Sequence, residues 1–92
     1  MQFTFDPDKD ATNMVKHGLS LADAPLVFNA PAKLTLQSPQ KNEARLMDIA
    51  MVEVAGVILV LVYVMREPDE VRAISLRRAS KQERKLYAEN NQ

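Results

Sequence analysis

From Val57 to Met65 the chain is apolar at every position and rich in Val, Ile and Leu. Such a run reads as a central β-strand, covered on both faces or covered on one and paired on the other. The abundance of β-branched residues and the flanking turn signals favour a strand over a buried helix. Upstream, Ala44–Val54 alternates with imperfect phase. Leu46, Asp48, Ala50, Val52 and Val54 share one face, and Arg45, Met47, Ile49, Met51 and Glu53 share the other. Ala55-Gly56 then suits a two-residue hairpin turn. Downstream, Glu67-Pro68-Asp69-Glu70 is a turn into another strand over Val71–Leu76. Regular alternation there sets Val71, Ala73 and Ser75 against Arg72, Ile74 and Leu76. An apolar strand left at an open edge is an aggregation hazard, so Val57–Val64 is placed at the centre of the sheet.

The N-terminal part alternates more slowly. Gln2–Phe5 reads as a short strand. Asp6 can cap a helix, Pro7 fits its first turn, and Asp8 favours the positive end of the dipole. The helix should run to His17 and stop at Gly18, with Ala11, Met14 and Val15 as its inward stripe. Ser20 and Asp23 have capping-box spacing before a short helix to Phe28. Pro25 distorts that helix, and Leu26, Val27 and Phe28 should pack inward before Asn29-Ala30-Pro31 ends it. Leu34–Leu36 is a short strand, and the polar Gln37–Asn42 a loop. At the other end, Ser80 and Glu83 form a capping box for a helix starting at Lys81, with Leu86 and Tyr87 inward. The order β-α-α-β-β-β-β-α gives one α+β domain over residues 1–92 with a mostly antiparallel sheet.

Composition narrows the chemistry. With no cysteine and one histidine, thiolate and histidine-cluster metal sites are excluded, and no cofactor is expected. The longest apolar run, Val54–Met65, falls short of the roughly 20 residues of a spanning helix. No signal-peptide pattern opens the chain, so a cytoplasmic protein with no membrane partner is expected. Net charge is zero, yet residues 71–92 hold six basic and two acidic residues. That local excess can hold a phosphate chain or simply solvate a helix face.

Several segments stand in a telling order: Phe5-Asp6-Pro7 with Lys9, Asn13, Lys16-His17-Gly18 with Ser20, and Val27-Phe28. Arg45 and the apolar hairpin follow, then Arg66, Arg72, Ile74-Ser75, Arg77, Ala79, Glu83-Arg84 and Tyr87. In this order they resemble the BrnT family of toxins. The resemblance spans roughly residues 3–88 and implies a RelE-like fold and a ribonuclease that arrests translation. It also implies a BrnA-like antitoxin, a ribbon-helix-helix protein through which operator DNA would be bound.

Metal-free RNA cleavage uses the 2′-hydroxyl as nucleophile and needs charge stabilised on the phosphate. Arginine suits that task because its planar, permanently charged fork binds phosphate oxygens in pairs. Arg45, Arg66, Arg72 and Arg77 are the candidates, each readable also as a surface arginine paired with a carboxylate. His17 can act as general acid or base, or can bond the last carbonyls of its helix. Lys9, Lys16, Arg78, Lys81 and Arg84 are candidate RNA-backbone contacts. Glu83 is assigned to capping, and Tyr87 to packing rather than base stacking. Two alternatives stand beside the ribonuclease. One is a partner-binding subunit with weak or lost catalysis, motivated by departures from the family pattern at Pro25 and, in the strands, at Ala50, Tyr63-Val64-Met65 and Leu76. The other is a small RNA-binding domain, which the scarcity of aromatic residues disfavours.

Overall fold

The computed structural model describes residues 1–37, 45–52 and 56–91. Its elements follow the expected order. They are β1 (Gln2–Thr4), α1 (Pro7–His17), a 3-10 turn (Leu21–Asp23), α2 (Ala24–Phe28), β2 (Leu34–Gln37), β3 (Arg45–Val52), β4 (Val57–Arg66), β5 (Glu70–Arg78) and α3 (Lys81–Asn90). The five strands lie in the order β1-β5-β4-β3-β2. Only the β1–β5 pair is parallel. The apolar run is therefore the middle strand, β4, and it is buried on both faces. Leu59, Leu61 and Tyr63 join a core beneath α2 and the 3-10 turn, while Val60 and Val62 join a second cluster with Ile49 and Ala79. Each such fully buried aliphatic side chain contributes about 1.5–3 kcal/mol. None of the described helices is long and apolar enough to cross a membrane.

The expected loop lies outside the described residues from residue 38 onward, as does Ala55 of the expected hairpin turn. Its other member, Gly56, takes the left-handed φ of 65°, and its N–H donates to the Val52 carbonyl at 2.8 Å. The local caps form as read. Asp6 accepts from the Asp8 N–H, Gly18 closes α1 at φ 68°, and Ser80 with Glu83 makes the full capping box of α3.

Four expectations about facing are corrected. In α1 the inward residue is Asn13, while Met14 and Val15 are 47% and 88% exposed and Ala11 is exposed too. The reason lies in β5. β1 pairs only with Glu70–Arg72, so the outer edge of β5 beyond Arg72 lacks a strand neighbour. The Asn13 amide takes that place. Its Nδ2 donates to the Leu76 carbonyl at 2.8 Å, and its Oδ1 accepts the Leu76 N–H at 3.1 Å. An unpaired buried backbone pair would cost more than an exposed methionine.

The second correction concerns β5, which carries a bulge. Ser75 pairs with Val62 and Ala73 with Tyr63, leaving Ile74 as the extra residue. Beyond it the alternation inverts, so Leu76 lies in the core beside Val71 and Ala73 rather than opposite them. The third concerns the segment after Ser20, whose hydroxyl accepts from Ala22 and opens a 3-10 turn. A new α-helix then starts at Ala24, where Pro25 occupies the first turn and loses no hydrogen bond. Val27 is buried, but Leu26 faces out. Fourth, Leu86 of α3 is exposed, and Tyr87 alone packs against both core clusters.

The core also holds a charge. Asp48 of β3 is fully buried. It accepts hydrogen bonds from Lys33 Nζ at 2.8 Å, Thr35 Oγ1 at 2.6 Å and Tyr63 OH at 3.0 Å. Lys33 also stands 3.9 Å above the Phe28 ring, which meets Phe3 and Tyr63 edge-on. Burial, and then the Asp48 carboxylate, push the Tyr63 hydroxyl above the ordinary tyrosine range, so it remains a donor.

Candidate nucleic-acid interface

Strand register decides which arginines meet. Arg45 pairs with Val64 across β3 and β4, and Val64 pairs with Arg72 across β4 and β5. Directly paired residues point to the same side of a sheet. Arg45 and Arg72 thus flank Val64 on the face turned away from α2, with backbones about 10 Å apart across two strand spacings. Arg66 lies two residues beyond Val64 on β4 and so on the same face. Its strand neighbour is Glu70, whose carboxylate accepts from Thr4 Oγ1. Arg45 and Arg72 are half-buried and Arg66 is exposed. Among the described residues, Arg66 and Arg72 form no salt bridge. Three strands thus bring three of the candidate arginines to one end of one face.

Arg77 is on that face as well, because the bulge inverts the alternation between it and Arg72. It pairs with Val60, four residues from Val64, or about 13 Å along the strand. Its fork is occupied there. Nη1 and Nη2 donate to the two Glu83 oxygens at 2.7 and 2.9 Å. The same Glu83 carboxylate also accepts the Ser80 N–H at 2.8 Å, so one side chain caps α3 and ties it to β5. The capping spacing was readable in the sequence. The second duty was not, because it depends on where the end of β5 meets α3.

The remaining candidates are scattered. His17 is exposed at the C-terminal end of α1, and among the described residues its side chain makes no hydrogen bond or ion pair. α1 leaves β1 near the Arg72 level and meets β5 at Leu76 through Asn13. His17, one turn or about 6 Å further on, therefore lies away from the Arg45–Arg72 row. Lys9 and Lys16 are exposed on α1, and Lys81 on α3. Arg78 and Arg84 come together at the opposite end of the sheet, where they line a hollow of about 320 Å³ with Met51, Val57 and Ile58. Arg84 Nη1 also donates to the Ala79 carbonyl at 3.0 Å.

The Arg77–Glu83 pair carries a pH signature. The Arg77 guanidinium, opposed in part by burial and aided by the Ser80 backbone, holds the Glu83 carboxyl down at about 2 instead of the ordinary 4.5. Its contribution to stability is complete above about pH 4.5 and is lost as pH falls towards 2. Glu83→Gln is expected to lose about 1–2 kcal/mol at neutral pH. Urea unfolding of parent and variant from pH 7 to pH 2 should show that gap closing below the ordinary carboxylate range. A gap that stays constant would assign it to something other than ionisation.

Comparison with known proteins places the fold and the sequence together. The family described as "Ribonuclease toxin, BrnT, of type II toxin-antitoxin system" matches residues 5–83. Among solved structures, the chain is similar to the Brucella abortus ribonuclease toxin BrnT, solved at 1.1 Å resolution. The two share 28% sequence identity, with a TM-score of 0.69, over 88% of this chain and 99% of that one. No curated protein matches the sequence.

Proposed function

Since the chain belongs to the BrnT family of ribonuclease toxins of type II toxin–antitoxin systems, we propose that it is a cytoplasmic endoribonuclease that cuts RNA without a metal ion and thereby stops translation. A BrnA-like, ribbon-helix-helix antitoxin restrains it and alone carries the pair to operator DNA. The observation that supports this reading best is the row Arg45–Val64–Arg72 with Arg66 beside it.

In the proposed reaction an RNA phosphate lies over Val64. Arg45 and Arg72 donate to its non-bridging oxygens from either side. The 2′-oxygen attacks phosphorus and its proton passes to water. The bond from phosphorus to the 5′-oxygen breaks, and that oxygen takes a proton from water. The products are a 2′,3′-cyclic phosphate and a 5′-hydroxyl. Negative charge grows on the phosphate oxygens in the transition state, where oriented cationic donors contribute most. Arg66 holds the neighbouring phosphate. The half-burial of Arg45 and Arg72 strengthens their pull relative to fully solvated arginines.

The test uses the purified chain and a short RNA in excess EDTA. Cleavage with cyclic-phosphate ends is expected, and a single 2′-deoxy nucleotide at the cut site should abolish it. Cleavage that stops in EDTA, or that continues past the deoxy position, would refute the internal-nucleophile reading.

A further inference from the structure

Away from the arginine row, apolar side chains from three elements gather around one groove. Pro25 and Leu26 of α2, Ala30 and Pro31 after it, Met51 of β3 and Tyr87 of α3 line a groove of about 530 Å³. Within that groove Leu26 and Met51 are 49% and 40% exposed. Met51 also lines the hollow that holds Arg78 and Arg84. The two depressions thus form one trough, apolar along most of its floor and basic at one end. No described carboxylate lines either depression. Glu83 on α3 is committed to Arg77.

From this we propose that the trough is where the antitoxin docks, through an amphipathic segment that lays apolar side chains over Leu26 and Met51 and presents carboxylates to Arg78 and Arg84. The proposal rests on the antitoxin partnership given under the proposed function. Charge complementarity selects the occupant. Arginines rimming an apolar floor match an acidic amphipathic segment in the helix-in-groove manner. An RNA strand fits poorly, because its phosphate chain needs cations along its path, and the described lining of the trough is basic at one end alone. The trough lies at the Met51–Ile58 end of the β3–β4 pair, and the Arg45–Val64 row lies at the other. The toxin is therefore gripped at a surface separate from the one that meets RNA.

The test measures two quantities on the same purified variants: affinity for the antitoxin produced with this chain, and RNA cleavage by the toxin alone. Leu26→Glu and Met51→Glu are each expected to weaken antitoxin binding about tenfold or more, with cleavage at the parent rate. Met51→Lys removes the same apolar contact but offers the opposite charge, so it should bind at least about tenfold more tightly than Met51→Glu. Thermal unfolding confirms that each variant is folded. If the Met51 variants fail that check, Leu26→Glu and Leu26→Lys on α2 repeat the comparison. Unchanged antitoxin affinity would overturn the docking site and leave the ribonuclease reading intact. Lost cleavage with unchanged antitoxin binding would make the trough an RNA surface, which also overturns it. An equal loss for both charges removes the acidic occupant, and absence of any complex with the parent overturns the proposal outright. A parent that binds antitoxin but cuts no RNA would instead refute the proposed catalysis, while the affinities still decide the docking site.

Discussion

Arg72→Ala is expected to slow RNA cleavage by about 100-fold or more and to remove the growth arrest expected of the unaltered chain when it is expressed from a tight promoter. Arg72 combines the properties such a residue needs. It sits in mid-sheet and half-buried, it faces Arg45 across Val64, and it is in no salt bridge with a described residue. Its removal takes away the proposed phosphate donor without opening a structural ion pair, so the variant should unfold within about 0.5 kcal/mol of the parent. Arg72→Lys should recover only part of the rate, because an ammonium cannot reproduce the planar fork. Two other variants separate position from mere charge. His17→Ala should lose less than about tenfold, since nothing in the fold carries the imidazole to the row. Arg77→Ala should act mainly on stability, because Glu83 already occupies its fork. If Arg72→Ala stays folded and cleaves at the parent rate, the arginine row is not the site. If neither the parent nor any variant affects growth or RNA, the partner-binding alternative replaces the enzyme.

The second large effect concerns the fold. Lys33→Met is expected to cost about 3–5 kcal/mol, because it leaves the Asp48 carboxylate buried without its cation. The total stability of a domain is only about 5–15 kcal/mol. The melting temperature should accordingly fall by more than about 10 °C. Tyr63→Phe removes one neutral donor from the same carboxylate and should cost less, about 1–3 kcal/mol. The double variant Lys33→Met/Asp48→Leu should recover part of the loss, since an apolar replacement of both partners leaves nothing charged inside. Urea unfolding of the three variants decides the matter. A Lys33→Met change under about 0.5 kcal/mol would mean that the carboxylate is solvated or neutral.

What was readable in the sequence was local. The uninterrupted apolar run fixes β4 as the central strand, since only an interior strand needs apolar side chains on both faces. The caps at Asp6, Gly18 and Ser80–Glu83 involve residues within a few positions of one another, and all of them form. What escaped was decided by distant partners. The periodic stripe Ala11–Met14–Val15 signals an apolar inner face, but α1 packs through a polar one, because its task is to complete the edge of β5. Asp48 shares a strand face with Leu46, Ala50 and Val52, and its sequence neighbours do not show what would satisfy it there. Its donors come from Lys33 before β2, from Thr35 in β2 and from Tyr63 in β4, and no spacing rule connects them. The arginine candidates were visible as residue types. The grouping of Arg45, Arg66 and Arg72, and the separation of Arg77, follow from strand register, which a single sequence does not carry.

The bulge at Ile74 bears on how the length of this chain can change. Removing a residue from a strand normally turns over every side chain that follows, which makes strands poor places for deletions. Here the outcome is reversed. Without Ile74, Ala73 and Ser75 would stand consecutively against Tyr63 and Val62, with Leu76 still opposite Leu61 and Arg77 still opposite Val60. Position 74 is thus a point where a lost codon leaves both the core residues and the arginines on their own sides. A one-residue gap in this strand, met when sequences of this fold are aligned, is the natural footprint of a bulge gained or lost rather than of a misplaced strand.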